Sequence, residues 1–600
     1  MKKNRTYKVN AFLMMLLAGT LSFSATAAAS ESGLLPEAAA QQQLVKGTIV
    51  DVNGNPIPGA SVMVPGSTTG TVTQIDGTFS LNVAEGTKVE IGCLGYTTVT
   101  TTARNGMKVV LKEDAMMLSD VVVVGYGTQK KANLTGAVAS VNVGQALEGR
   151  PISDVGRGLQ GAAAGLNVRV GSNEVGSDPI LRIRGQVGSY NGASSPLILL
   201  DNVEIPSLNL VNPDDIESIS VLKDAASASI YGAKAAFGVI LITSKKGNKE
   251  ADKVTVSYSG NFSIQNKAKN YEMADVDGLH YTVEAAERTG TFTPVGAFWK
   301  IDRAGYNAAV AWKDKYGNSV GVGDPFTYGR DWYVDGSNLK IGIRTFNAYD
   351  YLVRENAPTQ SHNVSVAGNK GRTNYNISLA YLDQNGMLKV TDYDWFKRYN
   401  ANARINTQIN DWLNIHSGIM FTKSTKSWAF ATNSTTADVW YYVFRWGPTY
   451  PMEPTNEYGD NVRNAAYEFK TANQATLDTY YTSVNVGTTI TPVKNWNIDV
   501  DYTYAVNNTQ ERNPGIKYMA GDTWSAAVNA LDANGDIRTI SNEWNDINGL
   551  GEEITAKKLN VYSYTSTYDS IYQDSFTSQR QTWNATSTYN LNLFDTHMFR

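Results

Sequence analysis

Four histidines, His280, His362, His416 and His597, and one cysteine, Cys93, are all the imidazole and thiol chemistry in 600 residues. No two histidines stand four apart, as a zinc-binding helix requires, and a single cysteine cannot build a CxxC pair. "DANGD" (532–536) partly matches a calcium loop, but the remaining ligand positions are missing and a polar turn fits as well. "GVGDPF" and "GYG" lack the strand–loop–helix context of a phosphate cradle. The carboxylates are scattered, with Asp499 and Asp501 alternating along one strand-like run. No catalytic constellation emerges, so neither an enzyme nor a cofactor is expected. What remains is recognition chemistry. Arg182 and Arg184 share one face of "ILRIRG" with Ile180, and guanidiniums so placed require carboxylates or water. "AFWKIDRAGY", "YGRDWYVDG" and "DVWYYVFRWGPTYP" set Trp and Tyr among charges, a composition that stacks sugars or holds peptides, or else packs loops and interfacial girdles.

The length allows roughly three or four domains. A net charge of −4 gives no electrostatic reason to expect nucleic acid. Residues 1–27 combine a basic "MKKNR", an apolar "AFLMMLLAGTLSF" and the small residues of "ATA", the pattern of a secretory signal peptide. No cysteine follows for lipid attachment, and no later run reaches the roughly 20 apolar residues of a spanning helix. The mature protein is therefore expected in the periplasm, outside the cell, or in the outer membrane as a β-barrel, which spans lipid without such helices.

Residues 44–113 read as short strands punctuated by Asn53-Gly54 and Asp76-Gly77, hairpin signals that predict a small β-sandwich with Cys93 inside an apolar strand. Residues 132–248 mix short helices and strands. From residue 253 onward the period is two. In "WNIDVDYTYAV", Trp496, Ile498, Val500, Tyr502, Tyr504 and Val506 share one face, and Asn497, Asp499, Asp501 and Thr503 the other. Strands are expected near 253–263, 361–369, 372–385, 397–409, 412–424, 480–491, 495–508 and 579–593, with a ninth starting at His597. Long connections alternate with short turns, the asymmetry of bacterial outer-membrane barrels. Eight strands cannot enclose a folded domain, since plugged barrels need about 22. Residues 253–600 are thus expected to be the N-terminal part of a longer barrel.

Between the first two segments stands "SDVVVVGYGTQKK" (119–131). An unpaired run of valines is a template for strand addition by another protein. It also fits a last strand of the sandwich or a first strand of the next domain, and periodicity does not separate these.

Two stretches carry a family resemblance. "GTIVD", "GNPIPGASV" and "DGTFSL" resemble the carboxypeptidase regulatory-like domain, a transthyretin-like sandwich without peptidase chemistry. "IRG", "PLILLDN" and "NPDDIESISVLKDAASASIYGAKAAFGVILITSKKG" resemble the plug of TonB-dependent outer-membrane transporters, in the SusC/RagA branch of Bacteroidota. Asn202 and Phe237 depart from that pattern; Asn tolerates the left-handed turn conformation. The resemblance implies a mainly β protein: a sandwich, a TonB box and linker at 118–130, an α+β plug at 132–248, and a transmembrane antiparallel β-barrel. Asp120, Val121, Val122, Val123 and Val124 would be the TonB box, pairing with the periplasmic C-terminal domain of TonB. Arg182 and Arg184 would seat the plug through solvated ion pairs with inward acids such as Asp499 and Asp501, or else only solubilise it during folding. The implied function is TonB-driven import of large nutrients, foremost oligosaccharides, with a SusD-like lipoprotein as partner and outer-membrane lipid as surroundings. Oligopeptides or iron-chelates are the alternative cargo, and a surface β-rich binding protein without transport the alternative class.

Overall fold

The computed structural model describes residues 43–599, apart from segments 52–53, 94–95, 112–120, 125–126, 131–137, 144–153, 171–173, 186–194, 248–251, 268–274, 291–301, 431–446, 542–552, 566–571 and 594–596 and positions 66, 68, 97, 524 and 590. The signal peptide and Asp120 lie outside the described residues. The chain divides into two compact units, Met1–Asp120 and Val121–Arg600.

In the first unit, Gln43–Val50 pairs antiparallel with Thr78–Val83 and parallel with Met107–Val110. A second sheet runs in the order Gly70–Val72, Ser61–Met63, Lys88–Gly92, Val99–Thr102. Lys88–Gly92 alternates exposed and buried positions, as a strand with one wet face must. Val45, Ile49, Phe79, Leu81, Val89 and Ile91 fill the core, with Cys93 packed at its margin. The two expected turn glycines have positive φ, Gly54 at 88° and Gly77 at 75°.

The second unit opens with a mixed five-stranded sheet in the order Val138–Asn142, Ile216–Leu222, Val239–Ser244, Leu197–Leu200, Val203–Glu204. Leu200 and Val203 flank a tight turn whose Asp201 and Asn202 both have positive φ, 48° and 67°. Two successive left-handed residues match the twist of a hairpin, and Asn202 meets that requirement as expected.

The remainder is an eight-stranded antiparallel sheet: Lys253–Asn266, Asn356–Lys370, Thr373–Asn385, Trp395–Asn410, Leu413–Phe430, Asn473–Val493, Trp496–Asn513 and Tyr572–Tyr589, each paired with the next. These are the eight expected strands in the expected order, most of them several residues longer at the long-loop end. The eighth differs at its other end: Leu591–Leu593 pairs instead with His597–Phe599. Along the strands the period of two holds. Val256, Leu379, Ile405, Ile419, Val486, Val500 and Trp583 are exposed on the outer face, while polar side chains point inward. A contiguous apolar surface of this size is not left to water.

The long connections form a body of their own. Phe326, Trp332, Phe346, Leu352, Met452, Val462 and Phe469 share one buried core, with Phe326 and Trp332 stacked at 5.9 Å. Beside it, Arg344 bridges Glu453 at 2.8 Å and Asp331 at 3.4 Å, all three almost fully buried. The Tyr351 hydroxyl also donates to Glu453, and the Trp312 indole to Asp331. Lys340 donates to the Asp522 carbonyl, joining a third loop, and burial pushes its ammonium down to about 8. Tyr328 and Trp332, expected as ligand platforms, are thus packed inside the loops. The "DANGD" segment is a polar turn, closed by the Asp532 carboxylate accepting from the Asn534 and Asp536 amides.

Candidate coupling segment and plug seat

The five-stranded sheet lies against the inner face of the barrel strands, and the contacts repeat every second wall residue. On Trp395–Asn410 the inward polar side chains are Arg398, Asn400, Asn402, Arg404, Asn406 and Gln408, and the first four all reach the plug. The Arg398 guanidinium, 2% exposed, donates to the Asn209 carbonyl at 2.8 Å and to Asn400 Oδ1 at 2.9 Å. Asn400 donates at 2.8 Å both to the Leu210 carbonyl and to Thr422 Oγ1, and Thr422 donates to the same carbonyl at 3.0 Å. The wall thereby caps the carbonyls of a 3-10 turn, Leu208–Leu210, which has no strand of its own to satisfy them. One step down, Asn402 donates to Asp215. Burial pushes the Asp215 carboxyl up, against hydrogen bonds from Ser378, Asn212 and Asn402. Further down, Arg404 Nη1 donates to Ser244 Oγ at 2.6 Å and lies 3.1 Å from Asp201 Oδ1.

Ion pairs flank this column. Lys426 meets Glu174 at 2.6 Å, and Arg580 meets Glu204 at 3.0 Å. In every plug–wall ion pair among the described residues the wall supplies the cation and the plug the carboxylate. This reverses the expected polarity. Leu181 and Ile183 do face the plug core, at 6% and 1% exposure. Arg182, however, is half-buried with its Nε unpartnered, and Arg184 is exposed at a turn with φ 54°. Neither forms an ion pair with a described residue. The acids expected to receive them are occupied: Asp499 accepts from Thr489 at 2.6 Å, and Asp501 pairs with His416 at 2.6 Å. That last pair spans two strands because Gly487 stands between them. A Cβ there would lie 2.2 Å from both His416 Nε2 and Asp501 Oδ1.

At the long-loop end the seat turns apolar, where Val175 packs on Leu382 and Phe396. Gly176, at φ 69°, lets the plug backbone approach the Phe396 ring so closely that a Cβ would stand 2.3 Å from it. Gly176→Val adds left-handed strain of about 1–2 kcal/mol to overpacking of about 1–3 kcal/mol. The expected result is a plug cleaved by trypsin at markedly lower protease concentration in the full-length protein. Unchanged protection would show that the ring yields freely.

Two cavities line the same wall. One of about 80 Å³ is bounded by Ile205, Val211, Met420 and Tyr481 among others. Another of about 430 Å³ is lined largely by amides and hydroxyls, including Asn406, Gln408, Asn414, Thr489 and Asn497. The valine segment forms a hairpin: Val121–Val124 pairs antiparallel with Gly127–Lys130, from Val121↔Lys130 to Val124↔Gly127. It is therefore paired along one edge, not free on both as expected from the sequence.

The CarboxypepD_reg-like domain model matches residues 45–123, and that of the TonB-dependent Receptor Plug Domain matches residues 130–239. The chain is 32% identical over 413 residues to TonB-dependent receptor SusC of Bacteroides thetaiotaomicron, covering 67% of this chain and 34% of that protein. The chain belongs to the SusC/RagA-type TonB-dependent receptors. A second relative of this receptor, TonB-dependent receptor P39 of Formosa agariphila, is 28% identical over 583 residues, covering 89% of this chain and 53% of that protein. The chain thus spans about a quarter to a half of the length of the curated relatives it matches. These relatives are named as receptors. Among solved structures it is similar to the RagAB peptide importer in its open-open state, at 25% identity and a TM-score of 0.47, covering 68% of this chain and 44% of that one. The polar seat was missed in the sequence because Arg404 and Asp201, or Arg580 and Glu204, are far apart in the chain. An inward polar row reads the same whether it faces water or a plug.

Proposed function

We propose that this chain is the plug-bearing part of an outer-membrane importer that takes up large nutrients, foremost oligosaccharides, with energy drawn through TonB. The observation that carries the reading is the seat itself. A folded domain is held against a barrel wall largely by side-chain hydrogen bonds and part-exposed ion pairs, beside apolar contacts at Phe396, Tyr481 and Ala505, and a strand-forming segment stands directly before it in the chain. A domain fixed for good would be expected to bury a dry seam, whereas exposed pairs worth about 0–1 kcal/mol each suit one that must shift. Asp120 to Val124 would take the C-terminal domain of TonB, and a SusD-like surface lipoprotein would meet the long loops. The sandwich and hairpin would then lie in the periplasm. The full-length receptor is expected to accumulate a labelled oligosaccharide, and to stop when the inner-membrane gradient is collapsed. Gradient-dependent accumulation of an oligopeptide or iron-chelate in its place would reassign the cargo. Binding with no accumulation of any of them would leave a surface binding protein.

Orientation is tested separately. An epitope at Gly535, in the turn of the longest late loop, is expected to bind antibody on intact cells. One at Lys494, between Asn473–Val493 and Trp496–Asn513, is expected to be silent until the outer membrane is opened. The opposite pattern would invert the topology.

A further inference from the structure

One of the plug carboxylates that meet the wall is already neutralised from within the plug. Glu204 ends the edge strand Val203–Glu204, and a single oxygen of it, Oε2, lies 2.8 Å from Lys234 Nζ and 3.0 Å from Arg580 Nη1. Lys234 belongs to the plug, and Arg580 to the eighth barrel strand, Tyr572–Tyr589. At the other two plug–wall pairs the plug supplies its carboxylate with a neutral donor. Asp201 takes the Ser244 amide at 3.0 Å, and Glu174 the Ser177 hydroxyl at 3.3 Å. Glu204 takes a full charge. Lys234 stands in the 3-10 segment Ser229–Ala235, whose Ala235 is buried with Leu199 and Leu241 of the plug sheet. The cation is therefore carried on a packed element and moves with the plug.

At this corner the wall faces a plug patch whose two charges cancel. Arg580 gains from Glu204 only what repulsion from Lys234 leaves. Without Lys234 the patch would carry one negative charge and draw the guanidinium in more strongly. Arg580 Nη1 also donates to the Glu204 carbonyl at 3.2 Å, a contact that fixes where the guanidinium sits whether or not Lys234 is there. All three side chains are part-exposed, so the effect is a modest one that salt screens.

We propose that Lys234 is a positioning residue for unseating: by holding Glu204 from the plug side it weakens the grip of Arg580 on the plug, and it keeps that carboxylate partnered once the wall is left behind. The proposal rests on the importer reading for its purpose but not for its test, which needs neither cargo nor TonB. Full-length receptor in detergent is treated with chymotrypsin, whose sites these substitutions leave untouched, and nicking of the plug is timed. Where seating is fast relative to cleavage, nicking follows the population of unseated plug. Lys234→Ala is expected to slow nicking about two- to five-fold at low salt, the range of an exposed charge pair, and the difference should shrink as salt is raised. Lys234→Arg is expected to stay near wild type, and Arg580→Ala to hasten nicking. With Arg580→Ala already in place, adding Lys234→Ala should slow nicking no further, because Lys234 acts through that guanidinium. A lysine that merely braces the plug predicts the opposite sign, since losing its bridge to Glu204 would loosen the domain. Nicking of Lys234→Ala as fast as wild type or faster would therefore overturn the proposal. So would a slowing that persists when Arg580 is replaced. Neither negative result bears on whether cargo is imported, which the accumulation assay decides by itself.

Discussion

Cells carrying the receptor without Asp120–Val124 are expected to bind cargo at the surface as the wild type does and to accumulate none. Among the described residues, no strand pairing joins Val121–Val124 to the barrel wall or to the plug sheet, although the hairpin lies close to Ile216–Leu222. Folding and outer-membrane assembly should therefore survive, and heat-modifiable mobility of the variant should match wild type. The segment offers backbone. Val121–Val124 uses one edge on Gly127–Lys130 and, among the described residues, is hydrogen-bonded as a strand to nothing else. A two-stranded hairpin is marginal alone in water, and a third strand added along the outer edge would both complete it and give the partner a grip on the chain leading to the plug. A scrambled segment of equal length that retains β-forming residues is the useful companion. Because strand addition is mostly main-chain chemistry, it should keep part of the uptake. Growth on the cognate nutrient unaffected by the deletion would end the assignment of the coupling segment to these residues.

Arg398→Met is expected to loosen the plug more than the loss of any one exposed ion pair. The guanidinium is buried against a carbonyl, at 2.8 Å, and an amide oxygen, at 2.9 Å. Hydrogen bonds from a charged donor are worth about 1.5–3 kcal/mol, and stranded acceptors cost about 1–3 kcal/mol. Methionine fills much of the volume and also removes the buried charge, so the net loss should fall below the sum, at about 2–4 kcal/mol. By contrast, Lys426→Ala, removing a half-exposed partner of Glu174, should cost under about 1 kcal/mol. Melting of the detergent-solubilised receptor, with trypsin nicking of the plug, distinguishes the two. Equal effects would mean that burial at Arg398 adds nothing to the seat.

The barrel strands were legible because each must show apolar groups outward and polar groups inward, and that constraint prints a period of two directly into the chain. Trp496 to Val506 is the clearest instance. Strand ends were less legible: at the long-loop ends the strands run past the apolar band, where nothing enforces alternation. The helices inside the first long connection, Val276–Thr289 and Arg303–Tyr316, were passed over as loop. Val276, Leu279 and Val283 lie on one face and Gly290 ends the first helix at φ 64°, signals present in the sequence but short. Arg182 was assigned the correct parity and an incorrect partner. Which face a strand turns to its own core is a local matter, but what meets the other face depends on the placing of a whole domain. Asp499 and Asp501 were correctly read as inward, yet their partners, Thr489 on the adjacent strand and His416 on the one beyond it, come from the wall and not from the plug.

The buried bridge of Arg344 with Asp331 and Glu453 has a mechanical consequence. Because it ties the connection after the first barrel strand to the one after the fifth, and Lys340 adds the one after the seventh, these loops cannot flap one by one. Bending any of them would tear a charge from partners that no water can replace. The three connections instead form one stiff lever whose fulcrum is the rim of the barrel. A force applied anywhere on it is felt at three separate pairs of strand ends at once.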